Sequence, residues 1–216
     1  MDSLVLIAPP AGGKGTQSEM ISKKYNIPQI STGDLLRIEK NKDTEIAKEI
    51  NELLKQGILI NDDIVLELVK NRIQLSDCDN GYILDGFPRT LNQAIEYDKM
   101  LEDLGKKLGH VILLEIDPLL CKKRIAGRVS CPNCKAIYNT MLDNIKPLQE
   151  GVCDHCHTSL VKREDDTEEV YDNRYNIYLK ETTPLIDYYE AKGILKRVNA
   201  LEKDSTFDSI CSILGD

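Results

Sequence analysis

Leu4-Val5-Leu6-Ile7-Ala8-Pro9-Pro10-Ala11-Gly12-Gly13-Lys14-Gly15-Thr16 joins an unbroken apolar run to a glycine-rich turn and a lysine. Four apolar residues in a row, closed by Pro9-Pro10, predict a short strand buried on both faces, as in the centre of a parallel sheet. Helical spacing follows over 16–25 until Pro28 stops it. A phosphate needs inward-pointing backbone N–H groups, small residues that permit close approach, a lysine charge and the positive end of a helix dipole. Strand, glycine loop and helix supply all four in the order a nucleotide-binding loop requires. The strict G-x-x-x-x-G-K-[ST] pattern is broken twice, by Ala8 in the first glycine place and by Gly15 between Lys14 and Thr16. A glycine-rich turn opening an ordinary helix is the competing explanation.

Outward from this unit the pattern repeats. Apolar runs at 82–84, closing on Asp85-Gly86, and at 111–114, closing on Asp117-Pro118, predict two further buried strands. Helical spacing covers 33–40, 44–55, 62–75, 91–104, 119–126, 168–191 and 207–214; Asn61 stands as N-cap of the third, with Asp62 and Asp63 in its dipole-favoured first turn. Strands alternating with helices predict an open parallel sheet covered on both faces. Residues 128–163 lose the long periodicity and gather four of the seven cysteines, so they read as a small inserted domain.

With 216 residues and 41% of them hydrophobic, the chain is long enough for one substantial core and too short for two full-sized domains. A net charge of −8, two Phe and no Trp argue against a nucleic-acid or membrane-surface protein. No stretch approaches the ~20 apolar residues of a membrane span, and Met1-Asp2-Ser3 lacks a basic signal-peptide start. A cytoplasmic protein with reduced thiols is expected.

Cys131-Pro132-Asn133-Cys134 and Cys153-Asp154-His155-Cys156 are two C-x-x-C knuckles eighteen residues apart. That spacing fits one structural Zn²⁺ per chain on Cys131, Cys134, Cys153 and Cys156, with no coordination position open for catalysis. His155 and His157 are competing ligands, and disulfides, iron or a redox dithiol are the other readings. Cys78, Cys121 and Cys211 read as buried thiols without chemistry.

The phosphate-loop stretch resembles that of the adenylate kinases, G-x-P-G-x-G-K-G-T, here Ala8-x-Pro10-Ala11-x-Gly13-Lys14-Gly15-Thr16. Further matches follow in family order: Pro28-Gln29-Ile30-Ser31-Thr32-Gly33-Asp34-Leu35-Leu36-Arg37, Asp85-Gly86-Phe87-Pro88-Arg89-Thr90 with Gln93, Arg124-x-x-x-Arg128, and Arg163-x-Asp165-Asp166 with Arg174. The resemblance implies an α/β, P-loop NTPase-like core with a parallel five-stranded sheet over 1–30, 61–126 and 164–216, a helical AMP-binding insert over 31–60 and a zinc-containing lid over 127–163. It implies a monomer that moves a phosphoryl group reversibly between ATP and AMP to give two ADP, with Mg²⁺. It further implies ATP contacts from Ala11 to Thr16 (including Gly12, Gly13, Lys14 and Gly15), Arg124, Arg128, Ile137, Tyr138 and Glu202. AMP contacts would come from Thr32, Arg37, Ile58, Leu59, Ile60, Gly86, Phe87, Pro88, Arg89, Gln93, Arg163 and Arg174. Catalysis would fall to Lys14, Arg89, Arg128, Arg163 and Arg174, and Asp85 would anchor Mg²⁺ through water.

The chemistry agrees with these residue types. Phosphoryl transfer needs dense positive charge, in-line positioning and exclusion of water more than covalent help, and arginine's planar fork binds phosphate oxygens in pairs. Taken singly, each arginine is better explained by solvation or a surface ion pair worth under ~1 kcal/mol; their joint placement in five motifs reverses that balance. Three rival functions remain at this level: a UMP/CMP-type kinase, opposed by the long lid and Gln93; a zinc-ribbon nucleic-acid module, opposed by the charge; and a non-catalytic nucleotide sensor, favoured by Ala8 and Ala11. Ala8 and Ala11 stand where the family this chain resembles has glycine, and wherever that glycine is left-handed, alanine would cost about 1 kcal/mol or somewhat more.

Overall fold

The computed structural model describes residues 2–216. β1 (Ser3–Ile7), α1 (Lys14–Tyr25), β2 (Gln29–Ser31), α2 (Thr32–Glu39), α3 (Glu45–Gln56) and α4 (Asp62–Ile73) lead to β3 (Ile83–Asp85), α5 (Leu91–Asp103), β4 (Leu108–Glu115) and α6 (Pro118–Ala126). A short hairpin, β5 (Arg128–Ser130) with β6 (Ile137–Asn139), opens the inserted segment; α7 (Glu168–Ile177), α8 (Thr183–Ala191), β7 (Leu195–Asn199) and α9 (Lys203–Leu214) complete the chain.

The five strands of the main sheet lie in the order β2-β3-β1-β4-β7, and every pairing is parallel. All five residues of β1 are buried. Strand alternation divides them between two cores. Val5 and Ile7 pack with Leu84, Val111 and Leu113 under helices α4, α5 and α8. Leu4 and Leu6 pack with Ile83, Ile112 and Leu114 against Ile21 of α1 and Ile210 of α9. β3 reaches β1 from one side and β4 from the other, so the strand order reverses at β1. A crevice therefore opens beyond the carboxyl ends of β1 and β3, where an open α/β sheet binds its ligand.

Side-chain caps start α4 and α5 where the sequence placed them. Asn61 accepts from Asp63 N at 2.8 Å and Thr90 from Gln93 N at 3.1 Å. The expected continuous helix over 168–191 is broken: α7 ends at Ile177, a π-helical turn spans Tyr178–Thr182, and α8 begins at Thr183. Pro184 has no N–H to offer the turn before it and its ring crowds a carbonyl there. The chain absorbs one extra residue, and Thr183 N donates to Tyr178 O instead. α9 starts at Lys203, four residues earlier than expected from its apolar spacing.

Candidate functional site

A cleft of about 1500 Å³ runs along the carboxyl ends of β1 and β3 and up to the inserted segment. With one exception, every residue assigned to nucleotide or Mg²⁺ contact from the sequence lines it. Phe87 is the exception. Phe87 is fully buried, its ring edge-on to Tyr97 at 5.4 Å, and it packs in the core beneath the cleft wall.

The floor of the cleft is the loop from Ala8 to Gly13. Ala11 takes a left-handed backbone (φ 58°), as does Gly13 (φ 92°), which precedes the first turn of α1 without any side-chain cap. Gly12 explains how Ala8 is tolerated. A Cβ on Gly12 would stand 2.9 Å from the Ala8 Cβ and 2.8 Å from Pro9 O, so the methyl at 8 occupies space that glycine at 12 leaves free. Lys14 Nζ turns back onto the loop, donating to Ala8 O at 2.6 Å and Pro9 O at 3.3 Å. Loss of water at the cleft floor, helped by the charges of Arg89 and Arg128 and opposed by Asp85, brings its ammonium down to about 8. Asp85, at the end of β3, accepts from Gln29 Nε2 at 3.1 Å. Burial pushes its carboxyl up, and the Lys14 charge partly reverses the shift.

Five arginines converge above this floor, most of them held by protein acceptors. Arg37 donates to Asp34 at 2.8 Å, Arg174 to Asp165 at 2.5 Å, Arg128 to Asp166 at 2.7 Å through Nε, and Arg89 to Gly86 O at 2.8 Å. Asp166 is completely buried. Burial alone would raise the Asp165 carboxyl, but the charge and hydrogen bond of Arg174 outweigh it and hold the group below the usual aspartate range. Among the described residues no carboxylate lies within ion-pair distance of Arg89 or Arg163. Desolvation, together with the charge of Arg37, holds both guanidiniums below their ordinary value. The Arg89 guanidinium comes down to about 10, desolvation first and the charge of Arg174 next, although its side chain is open to the cleft.

On the AMP side of the sequence assignment, Thr32 donates to Gly86 O at 2.9 Å, and Ile58, Leu59 and Ile60 border the same wall. On the other side Arg124 donates to Leu201 O at 3.2 Å and lies beside Gly13. Glu202 caps α9 through its backbone. Ile137 is half-exposed, whereas the Tyr138 hydroxyl turns inward, accepting from Asp154 N at 2.9 Å and meeting Cys153 Sγ at 3.5 Å.

Cys131, Cys134, Cys153 and Cys156 bring their sulfurs within 4.8 Å of one another. Each knuckle closes on the residue after its second cysteine, Lys135 N to Cys131 O and His157 N to Cys153 O, and both closing residues are left-handed. His155 and His157 stay outside the cluster. Hydrogen bonds at the side chain and backbone of Thr158 bring the Cys156 thiol down to about 5, which suits a thiolate ligand. The donor set fits a tetrahedral soft-metal site.

Two supporting residues escape sequence reasoning. Thr182, delivered by the π-helical turn, donates to Arg89 O at 2.9 Å across 93 residues. Asp62, read only as a first-turn acid, accepts from Thr90, Asn92 and Gln93. No local pattern marks either, since each acts on a distant segment.

The comparisons with known proteins agree with this geometry. Residues 6–194 match the family model described as "Adenylate kinase". The chain is 46% identical over 192 residues to the adenylate kinase of Caldicellulosiruptor bescii, covering 89% of this chain and 88% of that one. It is 46% identical over 197 residues to the enzyme of Archaeoglobus fulgidus, covering 91% and 90%. With Thermotoga neapolitana adenylate kinase it shares 42% identity over 217 residues, 100% of this chain and 98% of that one. A parallel sheet reversing at β1, a glycine loop holding Lys14 and a matched length spanning nearly the whole fold leave one assignment: the chain belongs to the adenylate kinase family.

Proposed function

We propose that this chain carries out the family's reaction, ATP plus AMP to two ADP, with the residues of the cleft in the following roles. Lys14 and the N–H groups of the Ala8–Thr16 loop hold the β- and γ-phosphates of ATP, with the α1 dipole behind them. Arg37 and Arg89 clamp the phosphate of AMP. Arg128, Arg163 and Arg174 spread over the transferring group, where charge builds up between the two nucleotides. Arg124 stacks on the ATP adenine, a role that suits a chain with only 5% aromatic residues. Thr32, Gln93 and the 58–60 backbone receive the AMP base, and the backbone near Glu202 the ATP base.

Asp85 is the residue fitted to hold Mg²⁺ through water, at the end of β3 and next to Lys14. When bound with ATP, Mg²⁺ neutralises phosphate charge. The four cysteines suit a structural zinc: with about 36 residues, the 128–163 segment buries too little core to be rigid, and metal-folded units of this size gain on the order of 10 kcal/mol from the ion. The inserts over 31–60 and 127–163 close on the two nucleotides and exclude water from the transfer. We read the chain as a cytoplasmic monomer; among the described residues no helix is long and apolar enough to cross a membrane.

The observation that carries the proposal is the convergence of Lys14 and five arginines on one cleft beyond β1 and β3. It also bears on the sensor alternative: Gly12 makes room for Ala8, so the loop keeps its shape and its lysine. The test is ADP formation by the pure protein with ATP, Mg²⁺ and each of AMP, UMP, CMP and GMP. AMP is expected to be the preferred acceptor; no turnover with AMP overturns the assignment of roles.

A further inference from the structure

We infer that Asp62 is a positioning residue that fixes base selectivity by locking the side-chain amide of Gln93 in one orientation. The inference rests on the proposed reading in which Gln93 meets the AMP base. Gln93 is only 2% exposed, yet it lines the cleft. Its Nε2 donates to Asp62 Oδ1 at 2.6 Å, and its Oε1 accepts from Arg89 N at 2.8 Å. A carboxylate offers only acceptors and a backbone N–H only a donor, so the two partners specify which end of the amide is nitrogen. Asp62 is itself held: its Oδ2 accepts from Thr90 Oγ1 at 3.0 Å and Asn92 Nδ2 at 2.9 Å, both within the turn that opens α5.

The consequence follows from the chemistry of the amide. A glutamine amide has two N–H donors and two oxygen lone pairs. With one of each already engaged, one N–H and one lone pair remain for a base. In the observed orientation they suit a 6-aminopurine, whose N1 accepts and whose exocyclic amine donates. A 6-oxopurine or a uracil edge presents the opposite pattern, acceptor where adenine has a donor. A free amide would rotate by half a turn and read that edge equally well. Here rotation would set Oε1 against the Asp62 carboxylate and an N–H against the Arg89 N–H. Selectivity against 6-oxo bases therefore comes from Asp62 acting with the Arg89 N–H, and Asp62 does not need to touch the nucleotide.

Two arms test this. In the parent protein, with ATP as donor, purine riboside 5′-monophosphate and IMP are compared as acceptors. The locked amide predicts a higher kcat/KM for purine riboside monophosphate, which offers N1 as an acceptor and places no oxygen at C6; a rotating amide predicts IMP equal or better, and that order overturns the inference. In the second arm Asp62→Asn, whose amide can face either orientation, is expected to lower the AMP-to-IMP ratio of kcat/KM by about 10- to 100-fold, the scale of one charge-assisted hydrogen bond. A merely structural role would reduce both substrates together and leave the ratio unchanged, because the folded fraction cancels from it. An unchanged ratio in Asp62→Asn overturns the inference, and if that variant does not fold, the analogue comparison in the parent decides. Failure of the parent to phosphorylate AMP would instead overturn the proposed function.

Discussion

Replacing Gly12 by alanine puts a methyl where the phosphate loop has no room for it. The new Cβ would stand 2.8 Å from Pro9 O, 2.9 Å from the Ala8 Cβ and 3.2 Å from Pro9 Cδ. Two of these contacts are shorter than real Cβ atoms make, and the oxygen is backbone, so the loop must shift. Overpacking of this kind costs about 1–3 kcal/mol, and for a chain of this length each kcal/mol lowers Tm by roughly 2–4 °C, giving an expected fall of about 2–12 °C. Ala8→Gly alone removes a buried methyl and frees the unfolded chain, together about 1–2 kcal/mol. If positions 8 and 12 share one methyl-sized space, the double variant relieves the 2.9 Å contact and keeps only the two with Pro9. Its loss of stability is then smaller than the sum of the single losses by about 1 kcal/mol, a coupling typical of touching residues. Thermal unfolding of the parent, both single variants and the double gives the cycle, and ADP formation reports whether the loop still holds ATP. Additivity within about 0.5 kcal/mol would refute the shared-space account.

Three further outcomes follow from the site. Arg89→Ala is expected to lower turnover by about 10²-fold or more, the scale of losing one preorganised donor, with Tm equal to or above the parent's; near-normal turnover removes Arg89 from the site. The Lys14 ammonium, at about 8, predicts that kcat/KM for ATP falls as pH rises through about 8, because that ratio reports the free enzyme. Since this value lies below that of a free lysine, the folded state gives up its proton first, so the Lys14 contribution to stability grows over the same range; a flat kcat/KM up to pH 9.5 would count against it. Metal analysis should return close to one zinc per chain, lost with lowered thermal stability in Cys134→Ser combined with Cys156→Ser; no zinc, with stability unchanged, defeats the structural-zinc reading.

What the sequence made legible were the features with a local signature. Leu4 to Ile7 announced β1 because every residue of a central strand is buried, and the two C-x-x-C knuckles announced a cluster because ligand spacing is set by one turn of chain. β2 and β7 escaped for the opposite reason. β2 has three residues, and β7, Leu195–Asn199, is a sheet-edge strand with only Val198 fully buried, so neither carries an apolar run. Pro184 stands at the break after Ile177, but the apolar spacing continues on both sides of it and by itself predicts one helix. In the site, motif residues were found and their supports were not. Asp62 reaches Gln93 across 31 positions and Thr182 reaches Arg89 across 93, and contacts at such separation leave no periodic trace.

A net charge of −8 and a cation-lined cleft coexist because the cations are not equally satisfied. Asp34, Asp165 and Asp166 neutralise Arg37, Arg174 and Arg128 within the fold. A phosphate that binds those three must compete with a carboxylate already in place, which limits what each can add to affinity. Arg89 and Arg163 have no such partner; desolvation and neighbouring positive charge disfavour their charged forms in the folded protein. An incoming phosphate relieves that cost rather than replacing a partner, so these two arginines have most to gain from substrate. The same imbalance explains why removing the Arg89 side chain should lower turnover steeply without lowering Tm. On the proposed roles, the charge that serves phosphoryl transfer is one the folded protein holds at its own expense. Stability lost on Arg89→Ala, in step with activity, would show that the guanidinium supports the fold and would break this link between strain and function.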